Sequence, residues 1–266
     1  MISNTHEKQH VHVSMTSISQ RMDTIARTVF SLIEQDYDNY SVSLYLSREP
    51  YLLDKGIVGS LPEALQALED AFENFSIRFT QNIGPYRKII PKLAEEWGTR
   101  RLIATADDDT VYPADWLSRM VEHYQSYQCV ICYRGHTIAF IDEKFAPYRQ
   151  WMVNKTTENP SLHIVPTGKD GILYDTDFFH PRVIDFNMAM TLVPTTDDLW
   201  LKWHTAAMRV PCFSINTDYT TQTFENFDPS DSLYLSFNKG GQNDTSIKKL
   251  EDYAKGELNF SLEASY

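Results

Sequence analysis

The sequence predicts an α/β fold built on a mainly parallel sheet, and three observations support this prediction. Short apolar runs alternate with amphipathic segments through the first half of the 266-residue chain. Three adjacent aspartates directly follow one of those runs, and ligands of open α/β sheets bind outside the carboxyl ends of the strands. Hydrophobic residues make up 42% of the chain and aromatic residues 13%, which is typical of a globular protein.

The strand and helix signals of the first half follow one another in a regular order. Apolar runs predict four strands, at residues 10–15, 42–46, 76–79 and 101–106. Apolar residues at helical spacing predict three helices between them, at about residues 22–33, 61–72 and 86–97. Strands that alternate with helices of this length indicate right-handed βαβ units, and hence a mainly parallel central sheet flanked by helices.

The second half is less regular. The pattern predicts a helix near residues 116–124, a strand at 129–133 and a second helix from about 196 to 210. Between them, residues 142–171 contain three prolines and no clear period. A long irregular stretch inside a compact domain is typical of a binding loop or a lid. The tail from residue 228 is polar and ends in a helix-like piece.

Charge and apolar patterning exclude several classes of protein. The formal net charge of −12 argues against a nucleic-acid partner, whose phosphates need a basic face. No run of 18 apolar residues is present, so we expect no membrane span. Residues 1–12 lack the apolar core of a signal peptide, and the sequence therefore predicts a cytoplasmic protein. Cys129 and Cys132 lie three apart in a strand-like run and point to opposite faces, which favours buried thiols over a redox or zinc pair.

The aspartate triplet Asp107, Asp108 and Asp109 is the first candidate for a functional site. Three adjacent carboxylates repel one another, so folding alone gives little reason to place them at the end of a buried strand. A hard divalent cation gives a reason, because it takes oxygen ligands and offsets the repulsion. The alternative is a solvated acidic turn.

The aspartate pair Asp197 and Asp198 is the second candidate, about ninety residues later. It falls in the first turn of a predicted helix, where the macrodipole favours negative charge, so helix capping is one explanation. The other is a general base beside a metal site, since a carboxylate on a rigid helix start can reach the proton that it removes.

Five sequence motifs, in this order and spacing, resemble those of bacterial GT-A glycosyltransferases of the family 2 type, which build capsule and lipopolysaccharide glycans. The motifs are VSMTS at residues 13–17 with Arg21 after it, GPYRK at 84–88, IATADDDTVYP at 103–113, GKDGILY at 168–174 and TDDLW at 196–200. The third contains the D-x-D pattern of that family. The resemblance covers residues 10–210 and implies a Rossmann-like GT-A fold with irregular acceptor-side loops and a C-terminal extension.

The resemblance implies a donor side with a divalent metal, Mn²⁺ or Mg²⁺. By the D-x-D pattern, Asp109 would contact the metal and Asp107 would contact the metal or the ribose. Asp107 and Asp108 are also donor-binding candidates. The segment after the first strand would line the nucleotide, which makes Thr16, Ser17 and Arg21 donor-binding candidates. Lys88 is a further one, although it is equally well explained as an ordinary helix-surface cation.

The resemblance also implies a base and an acceptor side. Inverting members carry a late acidic pair whose second carboxylate is the base, which is Asp198 here, with Asp197 as the alternative. This chain has Asp-Asp where the family usually has Glu-Asp, so the choice between the two stays open. The acceptor-binding candidates are Arg134, His136, Lys169, Gly171 and Trp200. A structural histidine is the alternative for His136, and an ordinary turn is the alternative for the loop with Lys169 and Gly171.

Together these features predict a metal-dependent transferase that moves a sugar from a UDP-sugar to a hydroxyl of a glycan or lipid-linked glycan, with inversion. The alternatives are a retaining GT-A transferase and an inactive module that binds a glycan or a nucleotide. Residues 1–227 would form the catalytic domain, with a donor half of about 10–112 and an acceptor half of about 113–227; residues 228–266 would be an extension packed on it. We expect a protein that works in surface-polysaccharide assembly, with peripheral association at the inner face of the cytoplasmic membrane as a possibility.

Overall fold

A computed structural model of the chain describes residues 9–218, 224–226, 237 and 240–265. The strands are β1 (Val11–Thr16), β2 (Tyr40–Leu46), β3 (Phe75–Phe79), β4 (Leu102–Ala106), β5 (Thr110–Val111), β6 (Val130–Cys132), β7 (Gly135–Thr137), β8 (Phe140–Ile141), β9 (Lys144–Phe145), β10 (Ile164–Pro166), β11 (Ile172–Asp175), β12 (Cys212–Ser214) and β13 (Glu225–Asn226). The α-helices are α1 (Ile25–Ile33), α2 (Glu63–Ala71), α3 (Ile90–Glu95), α4 (Trp116–Tyr127), α5 (Tyr148–Trp151), α6 (Phe186–Leu192), α7 (Asp197–Ala207) and α8 (Gln242–Glu257).

A seven-stranded sheet forms the centre of the fold, in the order β12-β6-β11-β4-β1-β2-β3. Strand β1 pairs in parallel with both β2 and β4, β2 pairs in parallel with β3, and β12 pairs in parallel with β6. Strand β11 is antiparallel to both of its neighbours, β4 and β6. The predicted α/β fold with a mainly parallel central sheet is therefore confirmed.

The sheet reverses its strand order between β1 and β4. The chain runs from β1 outward to β2 and β3, and then returns through α3 to place β4 on the other side of β1. Right-handed connections put α1 and α2 on one face and α3 on the other. Both β1 and β4 are buried along their length, as expected for strands that helices cover on both faces. Their carboxyl ends form the crevice where α/β folds bind ligands.

The third predicted helix is interrupted, and the prediction of one continuous helix over residues 86–97 was wrong. A short 3₁₀ helix covers Gly84–Lys88, Ile89 adopts φ −140°, and α3 begins only at Ile90. Pro91 explains the break, because it has no amide hydrogen to donate to the carbonyl of Arg87. The interruption leaves Arg87 and Lys88 buried, in a turn that follows β3 instead of on a helix surface.

The C-terminal helix α8 packs against α7. The indole Nε1 of Trp203 in α7 donates a hydrogen bond to Glu251 Oε2 in α8 at 3.1 Å. The domain boundary predicted at residues 227/228 lies outside the described residues and stays a prediction. Within the described ranges, no helix has both the length and the apolar character needed to cross a membrane.

Candidate active site

Lys88 joins the two acidic sites that lie about ninety residues apart in the sequence. Its ammonium Nζ lies 3.1 Å from Asp197 Oδ2, 3.3 Å from Asp107 Oδ1 and 3.9 Å from Asp198 Oδ1. The residue is only 7% exposed. Burial alone would lower the pKa of Lys88, but the three carboxylates hold that pKa well above its ordinary value. The site therefore contains a cation that carboxylates of the protein surround. The donor contact predicted for Lys88 stays a prediction.

Asp108 is a structural member of the triplet. It is 7% exposed, it accepts a hydrogen bond from Ser17 Oγ at 2.5 Å, and it forms a salt bridge with Arg21. Its main-chain carbonyl accepts a hydrogen bond from Thr28 Oγ1 at 3.2 Å. Each carboxylate oxygen of Asp108 thus has a protein partner, and Asp108 ties the loop after β1 to the loop after β4. A direct contact of Asp108 with the donor stays a prediction.

Asp107 and Asp109 retain exposed carboxylates. Their side chains are 31% and 25% exposed, whereas that of Asp108 is 9% exposed. Partial burial and the charges of Asp107 and Asp108 raise the pKa of Asp109 to about 6, which reports like-charge repulsion that Arg21 only partly relieves.

Asp107 and Asp109 are the candidate metal ligands of the site. Within the described residues, no group of three or more His, Cys, Asp or Glu side chains is arranged to hold a metal ion. Two exposed, mutually repelling carboxylates nevertheless fit a hard cation such as Mg²⁺, which commonly takes one or two protein carboxylates and completes its shell with phosphate and water oxygens.

The loop after β10 presents Gly168 to the centre of the site. The Gly168 amide donates a hydrogen bond to Asp198 Oδ2 at 2.8 Å. A Cβ atom added at this position would lie 2.6 Å from Lys88 Nζ, 3.3 Å from Asp198 Oδ1 and 3.4 Å from Asp107 Oδ1. A side chain at position 168 would therefore displace the Lys88 ammonium from its place among the carboxylates.

Asp198 is the carboxylate in this site best suited to take up a proton at neutral pH. Burial and the neighbouring charge of Asp197 raise the pKa of Asp198 to about 7, against the opposing effects of Lys88 and of the Gly168 amide. A general base works best when its pKa lies near the operating pH. Asp197 is the more buried of the two, with its side chain 8% exposed against 29% for Asp198, and it makes the shorter contact with Lys88.

Arg134 and Asp170 anchor the loop that carries Gly168. Arg134 Nη1 lies 3.6 Å from Asp170 Oδ2, and both side chains are buried. Asp170 adopts φ +70°, and its carbonyl accepts a hydrogen bond from the indole of Trp116 at 2.8 Å. Gly171 adopts φ +102°, and a Cβ there would lie 2.5 Å from the Trp116 ring. Arg134 and Gly171 therefore serve the conformation of this loop, and the acceptor contacts predicted for them stay predictions.

Two other acceptor candidates are also buried away from the site. Trp200 is 0% exposed, and its Nε1 donates a hydrogen bond to the carbonyl of Val183 at 2.9 Å, so its ring offers no face to a sugar. His136 is 2% exposed on β7, where burial and the charge of Arg134 lower its pKa to about 3. The acceptor contacts predicted for Trp200 and His136 stay predictions, and either contact would require these buried side chains to become accessible. Lys169, which is half-buried beside Gly168, keeps an exposed surface and stays a candidate.

The donor-side candidates lie together at the end of β1. Thr16 Oγ1 donates a hydrogen bond to the carbonyl of Tyr45 at 2.8 Å, Ser17 is bound to Asp108, and Arg21 contacts both Asp108 and Asp109. Direct contact of Thr16, Ser17 and Arg21 with a donor stays a prediction. The role of Lys88 in joining the two acidic sites was missed, because sequence spacing carries no signal for contacts between distant segments.

Comparisons with solved structures agree with this fold. The crystal structure of residues 1–349 of TarS from S. aureus superposes with a TM-score of 0.50 at 13% identity, covering 95% of this chain and 72% of that one. The same fragment in complex with UDP gives a TM-score of 0.51 at 13% identity, covering 95% and 73%. A 4-diphosphocytidyl-2C-methyl-D-erythritol synthase from Anaerococcus prevotii gives 0.51 at 11% identity, covering 87% and 96%. These likenesses support a GT-A-like fold.

Comparisons of the sequence alone add nothing to this result. No protein-family model matches the chain, and no curated protein matches it.

Proposed function

We propose that this protein is a glycosyltransferase that moves a sugar from a nucleotide-sugar, with UDP as the nucleotide, to a hydroxyl of a glycan acceptor. The observation that carries the proposal is the contact of Lys88 with Asp107, Asp197 and Asp198. This contact joins the aspartate triplet at the end of β4, where the strand order of the sheet reverses, to the two aspartates at the start of α7. One site thus holds groups suited to a charged leaving group and a group suited to an acceptor hydroxyl. The likeness to a TarS fragment solved with UDP agrees with the nucleotide but extends to the fold alone.

The donor would bind at the ends of β1 and β4. Asp107 and Asp109 would hold a divalent cation, Mn²⁺ or Mg²⁺, with the donor diphosphate supplying further oxygen ligands. When bound, this cation neutralises the negative charge that develops on the leaving nucleoside diphosphate. Arg21, fixed against Asp108 and Asp109, adds a second positive charge beside the same loop.

Asp198 would deprotonate the acceptor hydroxyl as the hydroxyl oxygen attacks the anomeric carbon of the donor sugar. The Gly168 amide and Lys88 hold the carboxylate in one orientation, and Asp197 provides the shorter contact to Lys88. A single displacement by a hydroxyl on the opposite side of the sugar from the diphosphate inverts the anomeric configuration. We therefore propose an inverting transferase; in a retaining enzyme, Asp198 would instead contact the donor or the acceptor.

The setting of this activity is also proposed. Capsule or lipopolysaccharide assembly supplies both nucleotide-sugars and glycan hydroxyls, and lipid-linked acceptors would bring the enzyme to the inner face of the cytoplasmic membrane. Association with other polysaccharide-assembly enzymes would follow from a shared acceptor. Product analysis with defined acceptors tests this assignment.

A screen of nucleotide-sugars by thermal shift, with and without Mn²⁺, tests the donor proposal. We expect UDP-sugars to raise the melting temperature in the presence of Mn²⁺, because a ligand that binds the native state stabilises it. Asp109→Ala should abolish the Mn²⁺-dependent part of this shift. Asp252→Ala, an exposed aspartate on α8, is the control and should leave the shift unchanged. A Mn²⁺-dependent shift that persists in Asp109→Ala would refute the metal assignment.

Turnover tests whether the protein is an enzyme, and the stereochemistry of the product tests whether the transfer inverts the anomeric configuration. Mn²⁺-dependent hydrolysis of a UDP-sugar without acceptor supports an enzyme, whereas glycan binding with no turnover supports an inactive module. NMR of the freshly formed product anomer distinguishes inversion from retention.

A further inference from the structure

Asp54 is a buried carboxylate with three hydrogen-bond donors and one ion-pair partner, and it lies outside the acidic sites described above. It is 4% exposed. Its Oδ1 accepts hydrogen bonds from the amides of Ser19 and Gly56, both at 3.0 Å. Its Oδ2 accepts a hydrogen bond from Asn82 Nδ2 at 3.1 Å and forms a salt bridge with Arg87 Nη1 at 2.9 Å.

The partners of Asp54 come from three separate connections of the chain. Ser19 follows β1, Gly56 lies in the same loop after β2 as Asp54, and Asn82 and Arg87 follow β3. All three connections leave the carboxyl ends of parallel strands, which is the ligand side of the sheet. One carboxylate therefore fixes the relative positions of three loops that sheet pairing does not itself hold together.

Arg87 continues this network toward the aspartate triplet. It is 1% exposed, and its Nη2 donates a hydrogen bond to the carbonyl of Ser17 at 3.0 Å. Ser17 Oγ in turn donates to Asp108 Oδ2 at 2.5 Å. Arg87 also precedes Lys88 in the chain, so its position limits where the Lys88 ammonium lies. Asp54 is thus connected to the triplet through Arg87 and Ser17.

Stability alone does not explain a buried ion pair at this place. Removing two charges from water is costly, and well-packed apolar residues commonly stabilise a fold equally well or better. What an ion pair with directed hydrogen bonds supplies is a defined geometry. Ser19 and Gly56, both held by Asp54, also line the two sides of a cavity of about 590 Å³ between residues 19–23 and 55–62.

We propose that Asp54 and Arg87 are positioning residues that hold the loops after β1, β2 and β3 in the geometry that binds the donor. The proposal rests on the proposed function, because it assigns these residues to the donor half of that site. Neither side chain is exposed, so both act through Ser17, Asp108 and the loop backbones. Their loss weakens donor binding while the rate of the bound complex stays close to that of the native enzyme.

Arg87→Lys is the informative variant, because one ammonium can keep the ion pair with Asp54 but cannot also reach the carbonyl of Ser17. The control is Arg78→Lys, where the arginine is half-exposed and pairs with exposed Glu95. We expect Arg87→Lys to weaken UDP binding by calorimetry, and to raise the donor KM, by about 10-fold or more, the effect typical of a lost charge-assisted hydrogen bond. The value of kcat should change by less than about 3-fold, and the control should match the wild type.

The outcomes separate the two proposals. If Arg87→Lys has a lower melting temperature but binds UDP as the wild type does, Arg87 is merely structural and the positioning role is refuted while the proposed function stands. If the wild type itself binds no UDP in the presence of Mn²⁺, the proposed function fails, and the positioning role fails with it.

Hydrogen exchange of the wild type tests the same role without any substitution. Saturating UDP should slow amide exchange at residues 17–21, 47–56 and 80–87 together, because Asp54 couples the three loops. Protection confined to one of them would refute the proposal, even if Arg87→Lys did not fold.

Discussion

Lys88 and Lys202 are two buried lysines whose surroundings differ completely. Lys88 is 7% exposed and lies among the carboxylates of the site, whereas Lys202 is 1% exposed on α7, one turn after Asp198. Among the described residues, Lys202 Nζ has no hydrogen-bond partner. Burial lowers the pKa of Lys202 to about 8, and the nearby thiols of Cys129, Cys132 and Cys212 only partly oppose this.

The comparison shows what the carboxylates do for Lys88. Burial disfavours the charged form of both lysines, but three carboxylates reverse the effect at Lys88 and nothing comparable does so at Lys202. The protein therefore stabilises a buried positive charge at Lys88, where the two acidic sites meet, whereas the charge of Lys202 lacks such partners and is lost as the pH rises through about 8. We infer that the charge of Lys88 is functional.

The largest effect is expected from Lys88→Met, which removes the cation shared by three carboxylates. The free energy of unfolding should fall by about 3–5 kcal/mol, because one side of a buried ion pair is left unpaired, and turnover should be lost. Urea unfolding and single-turnover kinetics measure the two effects. Lys92→Met is the matched control: Lys92 is also buried and pairs with Glu95 and Glu96, so the variant should lose stability but keep turnover. Native turnover in Lys88→Met would contradict the comparison.

Lys202→Met should do the opposite and stabilise the protein. The folded-state pKa of about 8 lies below the ordinary lysine pKa of 10.5, so between these values the unfolded chain binds more protons. Wild-type stability should thus rise from pH 8 to 10.5, and below pH 8 the full penalty of up to about 3 kcal/mol is present. Urea unfolding at pH 7 and pH 10 should show the gain of Lys202→Met at pH 7 and its near loss at pH 10. A gain that is equal at both pH values would show that packing, not charge, is responsible.

Asp198→Asn tests the carboxylate with the longest contact to Lys88. Donor affinity should persist, while turnover falls by about 10² or more because the amide cannot accept the acceptor proton. In the wild type, turnover should rise as the pH increases through about 7, since Asp198 must be ionised to act as a base. Calorimetry and a pH profile of kcat measure these effects. A near-native rate for Asp198→Asn would move the role of base to Asp197 or favour a retaining mechanism.

The smallest effect is expected from Asp170→Asn, which weakens the anchor of the loop that carries Gly168. Asparagine tolerates the positive φ of this position, so the backbone should persist while the charge that pairs with Arg134 is lost. We expect kcat to fall about 10-fold with donor affinity unchanged, because Asp198 loses part of its orientation. Asp142→Asn, at an exposed aspartate with φ +50°, is the control. Equal rates for the two variants would exclude this role.

Much of the fold and part of the site could be predicted from local patterns. The apolar runs that became β1, β2, β3 and β4 alternate with helical stripes, and this period is imposed by backbone geometry within each segment. The placement of Asp107 at the end of a buried strand, and of Asp198 in the first turn of a helix, follows from the same local signals.

The burial of the acceptor candidates could not be predicted, for a physical reason that Trp200 illustrates. On a helix packed on one side, a residue one position after the apolar stripe is partly exposed, but Leu199, Trp200, Leu201, Lys202 and Trp203 in α7 are all buried. The helix is covered by α8, by β10 and by the segment around Val183, so its apolar residues show no clear helical period. The burial of Arg134 and His136 was missed likewise, since burial by distant segments leaves no local pattern.

By itself, the sequence determined the strand–helix alternation, the strand-end aspartates and the acidic start of α7, because each depends on residues within a few positions of one another. Only the tertiary structure decided that Lys88 lies between the two acidic sites, that Gly168 approaches it, and that Asp54 couples three loops. These contacts join residues that are tens of positions apart in the chain. They depend on the order of strands in the sheet and on where each loop packs, and the burial that results decides which charges persist.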